Sequence, residues 1–202
     1  MPVVDFTEVP LANIGSGSQD TFELFARDFL AALGFEVEEG PSRGADGGKD
    51  LIILEPLTGL VQSTKRRWLV SCKHFAHSGD SVGDNDEINI PGRVRRFKCD
   101  GFMAFYSTIP SSGLMRTLNS HKDEMSIEVW DKERIEEKLV SDSRLQTVFE
   151  RYFPQSHKMW RSKVPTQVFG AYEPLRCIVC GKDLLIDTGT QETGVIIAEH
   201  SA

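Results

Sequence analysis

Apolar residues return at helical spacing between Asp20 and Leu33, where Phe22, Phe25, Ala26, Phe29, Leu30 and Leu33 fall on one face. Asp20, with Glu23 three residues on, has the form of an N-terminal cap, and Gly34 stands where such a helix stops. From Phe35 to Glu39 the period changes to two, with apolar and acidic residues alternating, which predicts a half-buried strand. The stretch from Gly40 to Lys49 is too rich in glycine for regular structure and delivers the chain to Asp50 and the apolar run Leu51-Ile52-Ile53-Leu54. Past a loop around Pro56 and Gly59, Trp68 to Lys73 reads as a further strand. Two extended runs joined by roughly ten residues of loop predict an antiparallel pair.

His74 to Glu87 is a polar loop, and Pro91 suits the first turn of a helix that carries Arg93, Val94, Arg95, Arg96, Phe97 and Lys98. Gly101 to Thr108 reads as a buried strand, and Ser111 or Ser112 caps a helix running through Leu118. Ser126 to Trp130 is another strand, Asp131 caps a helix to Val140, and Ser143 to Phe153 forms the last helix. The order α-β-β-β-α-β-α-β-α-α predicts an α/β fold with a mixed sheet. Prolines at 154, 165 and 174 and weak periodicity set the C-terminal segment apart. The expected organisation is a lead-in over 1–16, a domain over 17–153, and a basic linker and small appendage over 154–202.

Charge sharpens this picture. The 202 residues carry a formal charge of −7, which argues against indiscriminate coating of nucleic acid. The deficit is local: residues 1–60 hold 3 basic and 11 acidic side chains, residues 61–100 hold 8 and 5, and residues 151–182 hold 6 and only Glu173. Lys65, Arg66 and Arg67, and then Arg93, Arg95, Arg96 and Lys98, are candidates for neutralising phosphates; the plain alternative is a solvated charged face. Trp160 is read as closing a small core rather than stacking on a base. No basic-then-apolar leader and no apolar run near the ~20 residues that cross a bilayer are seen, which predicts a cytoplasmic protein with no membrane partner. Cys72 and Cys99 are isolated, whereas Cys177 and Cys180 form a C-x-x-C with the shape of half a zinc site. His74 and His77 are expected to be exposed loop residues.

The chemistry centres on a carboxylate and a lysine. Asp50 stands at the mouth of one strand and Lys73 at the end of the next, and side-chain alternation puts Ser71 and Lys73 on one face. Antiparallel pairing brings Asp50, Ser71 and Lys73 to one end of the sheet. Such a pair can hold a divalent metal, position a water and offset phosphate charge. Surface Asp and Lys residues at strand ends are also common, and spacing alone favours that reading.

The runs Phe22-Glu23-Leu24-Phe25, Leu33-Gly34-Phe35-Glu36-Val37, Gly44-Ala45-Asp46-Gly47-Gly48-Lys49-Asp50-Leu51 and Trp68-Leu69-Val70-Ser71-Cys72-Lys73-His74 resemble the Mrr-like branch of the PD-(D/E)XK nucleases. Lys98 to Phe102, Tyr106 to Thr108 and Ile127 to Asp131 are similar to that family's second half. The resemblance spans roughly residues 17 to 153 and implies a restriction-endonuclease-like mixed sheet flanked by helices, with an α-β-β-β-α-β core. It implies Asp50 as the principal metal-binding carboxylate, Lys73 as the catalytic lysine, the main-chain carbonyl of Cys72 as a metal ligand and Glu23 as an auxiliary acid near the metal. Asp46 is the lesser stand-in for Asp50 and is read as a turn residue. One position departs: Ser71 stands where the family usually has Glu or Gln. Ser71 acting through water, another acid such as Glu23 or Glu87, or loss of activity each account for it. The implied function is Mg²⁺-dependent hydrolysis of double-stranded DNA, with Mn²⁺ substituting, in restriction or defence against foreign DNA, by a homodimer or with a partner subunit. The rival is a degenerate module of the same fold that binds nucleic acid or protein without cutting.

Overall fold

The structure, a computed structural model, describes residues 2–12, 20–41, 49–59, 61–163 and 178. The aromatic stripe of the first amphipathic segment becomes helix α1 (Thr21–Leu33), with Phe22, Phe25, Ala26, Phe29 and Leu30 buried. Its cap is Asp20, whose carboxylate accepts the Phe22 amide at 2.8 Å and so satisfies one of the N–H groups a helix start leaves without a partner. Gly34 ends it at φ 106°, donating to the carbonyls of Ala31 and Leu30. That left-handed backbone suits glycine, so Gly34→Ala is expected to cost about 1 kcal/mol in urea unfolding, with little effect on the site.

Strand β1 (Glu36–Glu39) pairs antiparallel with β2 (Leu51–Thr58), and β2 pairs antiparallel with β3 (Ser63–Lys73). The hairpin is longer than its sequence suggested: the strands continue through Pro56 and back from Ser63. Pro56 is tolerated because β1 pairs only with Ile52–Leu54, leaving that part of β2 as a local edge where no donor is missed. β1 itself is exposed rather than half-buried, since it forms the sheet's outer edge. From β3 the chain crosses over through α2 (Ile90–Arg96) to β4 (Gly101–Tyr106), and through α3 (Ser112–Ser120) to β5 (Ser126–Trp130). Both crossovers yield parallel neighbours, and the five strands lie in the order β1-β2-β3-β4-β5. Helices α4 (Lys132–Ser141), α5 (Gln146–Tyr152) and α6 (Pro154–Lys163) complete the described chain. The α/β mixed sheet expected from the element order is thus observed.

Alternation along the strands sorts the core onto two faces. Leu51, Ile53, Trp68, Val70, Met103, Phe105 and Trp130 pack against the α1, α4 and α5 side. Leu69, Phe102, Ala104 and Tyr106 pack with Ile90, Val94, Leu114 and Leu118 on the α2 and α3 side. All six residues of β4 are buried, as a parallel strand covered on both faces requires.

The terminal segments depart from expectation. Val4, Phe6 and Val9 of the expected lead-in are buried in the core, with the Phe6 ring edge-on to Phe153 at 5.3 Å. The segment after Phe153, expected as a linker, begins as α6. Its first amides at Gln155 and Ser156 donate to the Glu8 carboxylate at 2.7 and 2.8 Å, so an acid from the far end of the chain caps it. Trp160 packs near Phe149 at 5.7 Å and His157 is buried beside it, which makes Trp160 the core residue expected. Contacts group Met1–Lys163 into one compact unit, so the structural boundary falls at the end of α6 rather than at its start.

Candidate active site

The carboxyl end of β3 carries the site. The Asp50 amide donates to the Val70 carbonyl at 3.2 Å, and the Asp50 carboxylate accepts the Cys72 amide at 2.5 Å. The carboxyl group is therefore locked onto the strand that presents Ser71, Cys72 and Lys73. Leu51 also pairs with Val70, so Asp50 sits at the end of the ladder, beside the point where Ser71, Cys72 and Lys73 follow on β3. Glu23 stands in the first turn of α1. Burial pushes the Cys72 thiol well up from its ordinary value, and the neighbouring carboxylates of Asp50, Glu23 and Asp20 push it further, while Lys73 acts in the opposite direction. Three acids and one lysine thus act on the same thiol. Among the described residues no group of three His, Cys, Asp or Glu side chains is gathered closely enough to hold a metal ion without rearrangement.

Residues 15–103, just under half of the chain, match the restriction endonuclease family model Mrr_cat. Over those residues the chain is similar to that restriction endonuclease family. The matched residues include Glu23, Asp50, Ser71, Lys73, Glu87 and Arg93, and the observed mixed sheet between helical layers is the fold the resemblance implied. No curated protein matches the chain. Among solved structures the chain is similar to the MspJI restriction endonuclease in complex with a 27-mer oligonucleotide, at 18% identity and TM-score 0.46 over 71% of this chain and 31% of that one. It is also similar to the DNA modification-dependent restriction endonuclease AspBHI, at 11% identity and TM-score 0.45 over 79% of this chain and 43% of that one. The chain therefore spans less than half the length of either enzyme.

The polar neighbourhood of Ser71 is unlike what the sequence suggested. Ser71 is 0% exposed, and its hydroxyl oxygen accepts from Arg93 at 3.1 Å. Arg93 pairs at 2.6 Å with Glu87, which also accepts the Tyr106 hydroxyl at 3.0 Å. Burial and the adjacent Glu87 raise the Tyr106 phenol far above its usual range. Arg93 thus points into the domain rather than out to a phosphate. The cue is tertiary: Glu87 precedes α2 in a polar loop, and nothing in its spacing marks it as buried.

The other basic residues divide clearly. Lys65 pairs with Glu36, Arg66 with Glu55, and Arg67 with Glu38 and Glu39 as well as the Phe97 carbonyl. These three tie the acidic β1 edge and β2 to β3. Arg95, Arg96 and Lys98 are exposed at the end of α2. Cys177 and Cys180, which have the form of half a zinc site, and Asp46 lie outside the described residues.

His74 is half-buried rather than exposed. Its ring stacks on Phe22 at 4.7 Å, Nε2 bonds the Val9 carbonyl at 2.8 Å, and Nδ1 is buried without a partner among the described residues. His77 is exposed as expected, and its Nε2 reaches the same carbonyl at 2.8 Å. Burial holds the His74 pKa below its ordinary value of 6.5. The unfolded chain therefore binds the His74 proton more readily than the folded one, so this contribution to stability is full above 6.5 and is lost as pH falls below it. Urea unfolding between about pH 7.5 and about pH 5.5 is expected to show this loss, and His74→Gln to flatten it.

Proposed function

We propose that this domain is a divalent-metal-dependent endonuclease that hydrolyses phosphodiester bonds in double-stranded DNA, acting in the cytoplasm in restriction of foreign DNA. The observation that carries the reading is the Asp50 carboxylate fixed on the Cys72 amide, one residue from Lys73, inside the region that matches a restriction endonuclease family. The donors offered there are carboxylate and carbonyl oxygens, the ligands a hard cation such as Mg²⁺ takes. Asp50, the Cys72 carbonyl and Glu23 would hold the ion, with Mn²⁺ an acceptable substitute. When bound, it supplies Lewis-acid polarisation of the phosphate and an acidified water.

The chain's own part is positioning and charge. Asp50 is fixed in orientation by the Cys72 amide. Lys73 supplies positive charge toward the negative charge that develops on the phosphate. Arg95, Arg96 and Lys98 lie together at the end of α2 and suit sequence-independent contact with phosphates. Cutting both strands requires two such sites, which a homodimer or a partner subunit provides.

A second reading, a module that binds without cutting, is favoured by Ser71 and by the occupation of its hydroxyl by Arg93. One assay separates the two. Supercoiled plasmid incubated with the purified chain and Mg²⁺ or Mn²⁺ is expected to be nicked or linearised, and to stay intact with EDTA. DNA binding with no metal-dependent cleavage favours the second reading.

A further inference from the structure

Beneath the candidate site lies a buried polar chain drawn from four parts of the fold. The Glu87 side chain, 0% exposed, lies in the loop before α2; Arg93, 13% exposed, is on α2; Ser71 is on β3 and Tyr106 on β4. Their contacts run Tyr106 to Glu87, Glu87 to Arg93 and Arg93 to Ser71. The Arg93 guanidinium also sits over the Phe102 ring at 5.5 Å, so packing as well as pairing fixes its plane.

This arrangement bears on what position 71 can do. A serine oxygen that accepts from a guanidinium has given a lone pair to a cation. An ion bound to the same oxygen at ~2.0–2.1 Å would stand within about 5 Å of the Arg93 charge, where like charges repel strongly in a desolvated setting. Glu87 is not a ready replacement ligand either, because its carboxylate already serves Arg93 and Tyr106 in full burial. Position 71 is therefore an electropositive place in the site, whereas Asp50 across the strand pair is an electronegative one.

We propose that Glu87 and Arg93 form a buried positioning pair that takes position 71 out of metal coordination, with Arg93 supplying fixed positive charge where the resemblance puts a Glu or Gln. Metal is then held from the Asp50 side alone. The inference rests on the reading of Asp50 as the metal-binding carboxylate, and the test keeps the two apart.

Mn²⁺ binding to the full chain is measured by calorimetry, with thermal melting to confirm folding. Ser71→Ala is expected to bind Mn²⁺ within about twofold of the unaltered chain, whereas Asp50→Ala binds about tenfold more weakly or worse. Ser71→Glu alone gains nothing, because the new carboxylate pairs with Arg93. The same substitution in the neutral Glu87→Gln/Arg93→Met background tightens Mn²⁺ binding by about tenfold. A tenfold loss in folded Ser71→Ala, or a tenfold gain from Ser71→Glu alone, overturns the pair's assigned role. Unchanged binding in Asp50→Ala overturns the reading of Asp50 instead. The single Ser71 substitutions keep both Glu87 and Arg93 in the chain, so they decide the matter even where the triple variant does not fold.

Discussion

Asp50→Ala and Lys73→Ala are each expected to reduce Mg²⁺-dependent plasmid nicking by about 10²–10³-fold or more, because each removes a group that meets charge developing in the transition state. The two should fail differently. In the proposed mechanism Asp50 faces the cation, and its carboxylate accepts the Cys72 amide at 2.5 Å, so alanine removes charge and local order together. Asp50→Asn separates them: the amide oxygen still accepts the Cys72 N–H, but the negative charge is gone. Activity as low in Asn as in Ala assigns the loss to charge, and partial recovery in Asn assigns part of it to the hydrogen bond. Lys73→Ala is expected to bind DNA nearly as well as the unaltered chain, since one phosphate contact among several is lost. Nicking that persists unchanged in both alanine variants removes the proposed function.

Arg93→Met is expected to cost about 3–5 kcal/mol, the scale for leaving a buried charge without its partner. Glu87 would remain in the interior with the Tyr106 hydroxyl and without the Arg93 cation. Its carboxylate lies too deep to recover hydration without opening the α2 side of the sheet. The double variant Glu87→Gln/Arg93→Met is expected to recover most of that loss, because a neutral amide and a thioether avoid the uncompensated charge. Urea denaturation of the two single variants and the double variant gives the coupling directly. A midpoint for Arg93→Met within error of the unaltered chain would mean the pair contributes nothing to stability.

Much of the fold was readable because its cues are local. The α1 stripe from Phe22 to Leu33, the Asp20 and Gly34 boundaries, the Ser111 and Asp131 caps and the Ser126–Trp130 strand all depend on residues within one or two turns of each other. Antiparallel pairing of β2 with β3 was readable too, and the Asp50 carboxylate does reach the Cys72 amide. The helix at Pro154–Lys163 was not readable, because its first amides are satisfied by Glu8, 147 and 148 residues away. Without that cap, its polar composition and the prolines at 154, 165 and 174 look like a linker.

The basic clusters show the same division at the level of chemistry. In sequence, Lys65, Arg66, Arg67 and Arg93 look like Arg95, Arg96 and Lys98: cations in short runs. In the fold, the first three meet carboxylates of β1 and β2, and Arg93 turns inward to Glu87 and Ser71. The sequence by itself determined the helix and strand order as far as Phe153, the mixed sheet, and the placing of Asp50 at the mouth of β2 and Lys73 at the end of β3. Tertiary structure alone decided which cations face solvent and what stands against the Ser71 hydroxyl. Periodicity and pairing are set by neighbours along one or two strands, whereas the charge a side chain meets is set by whichever element packs over it.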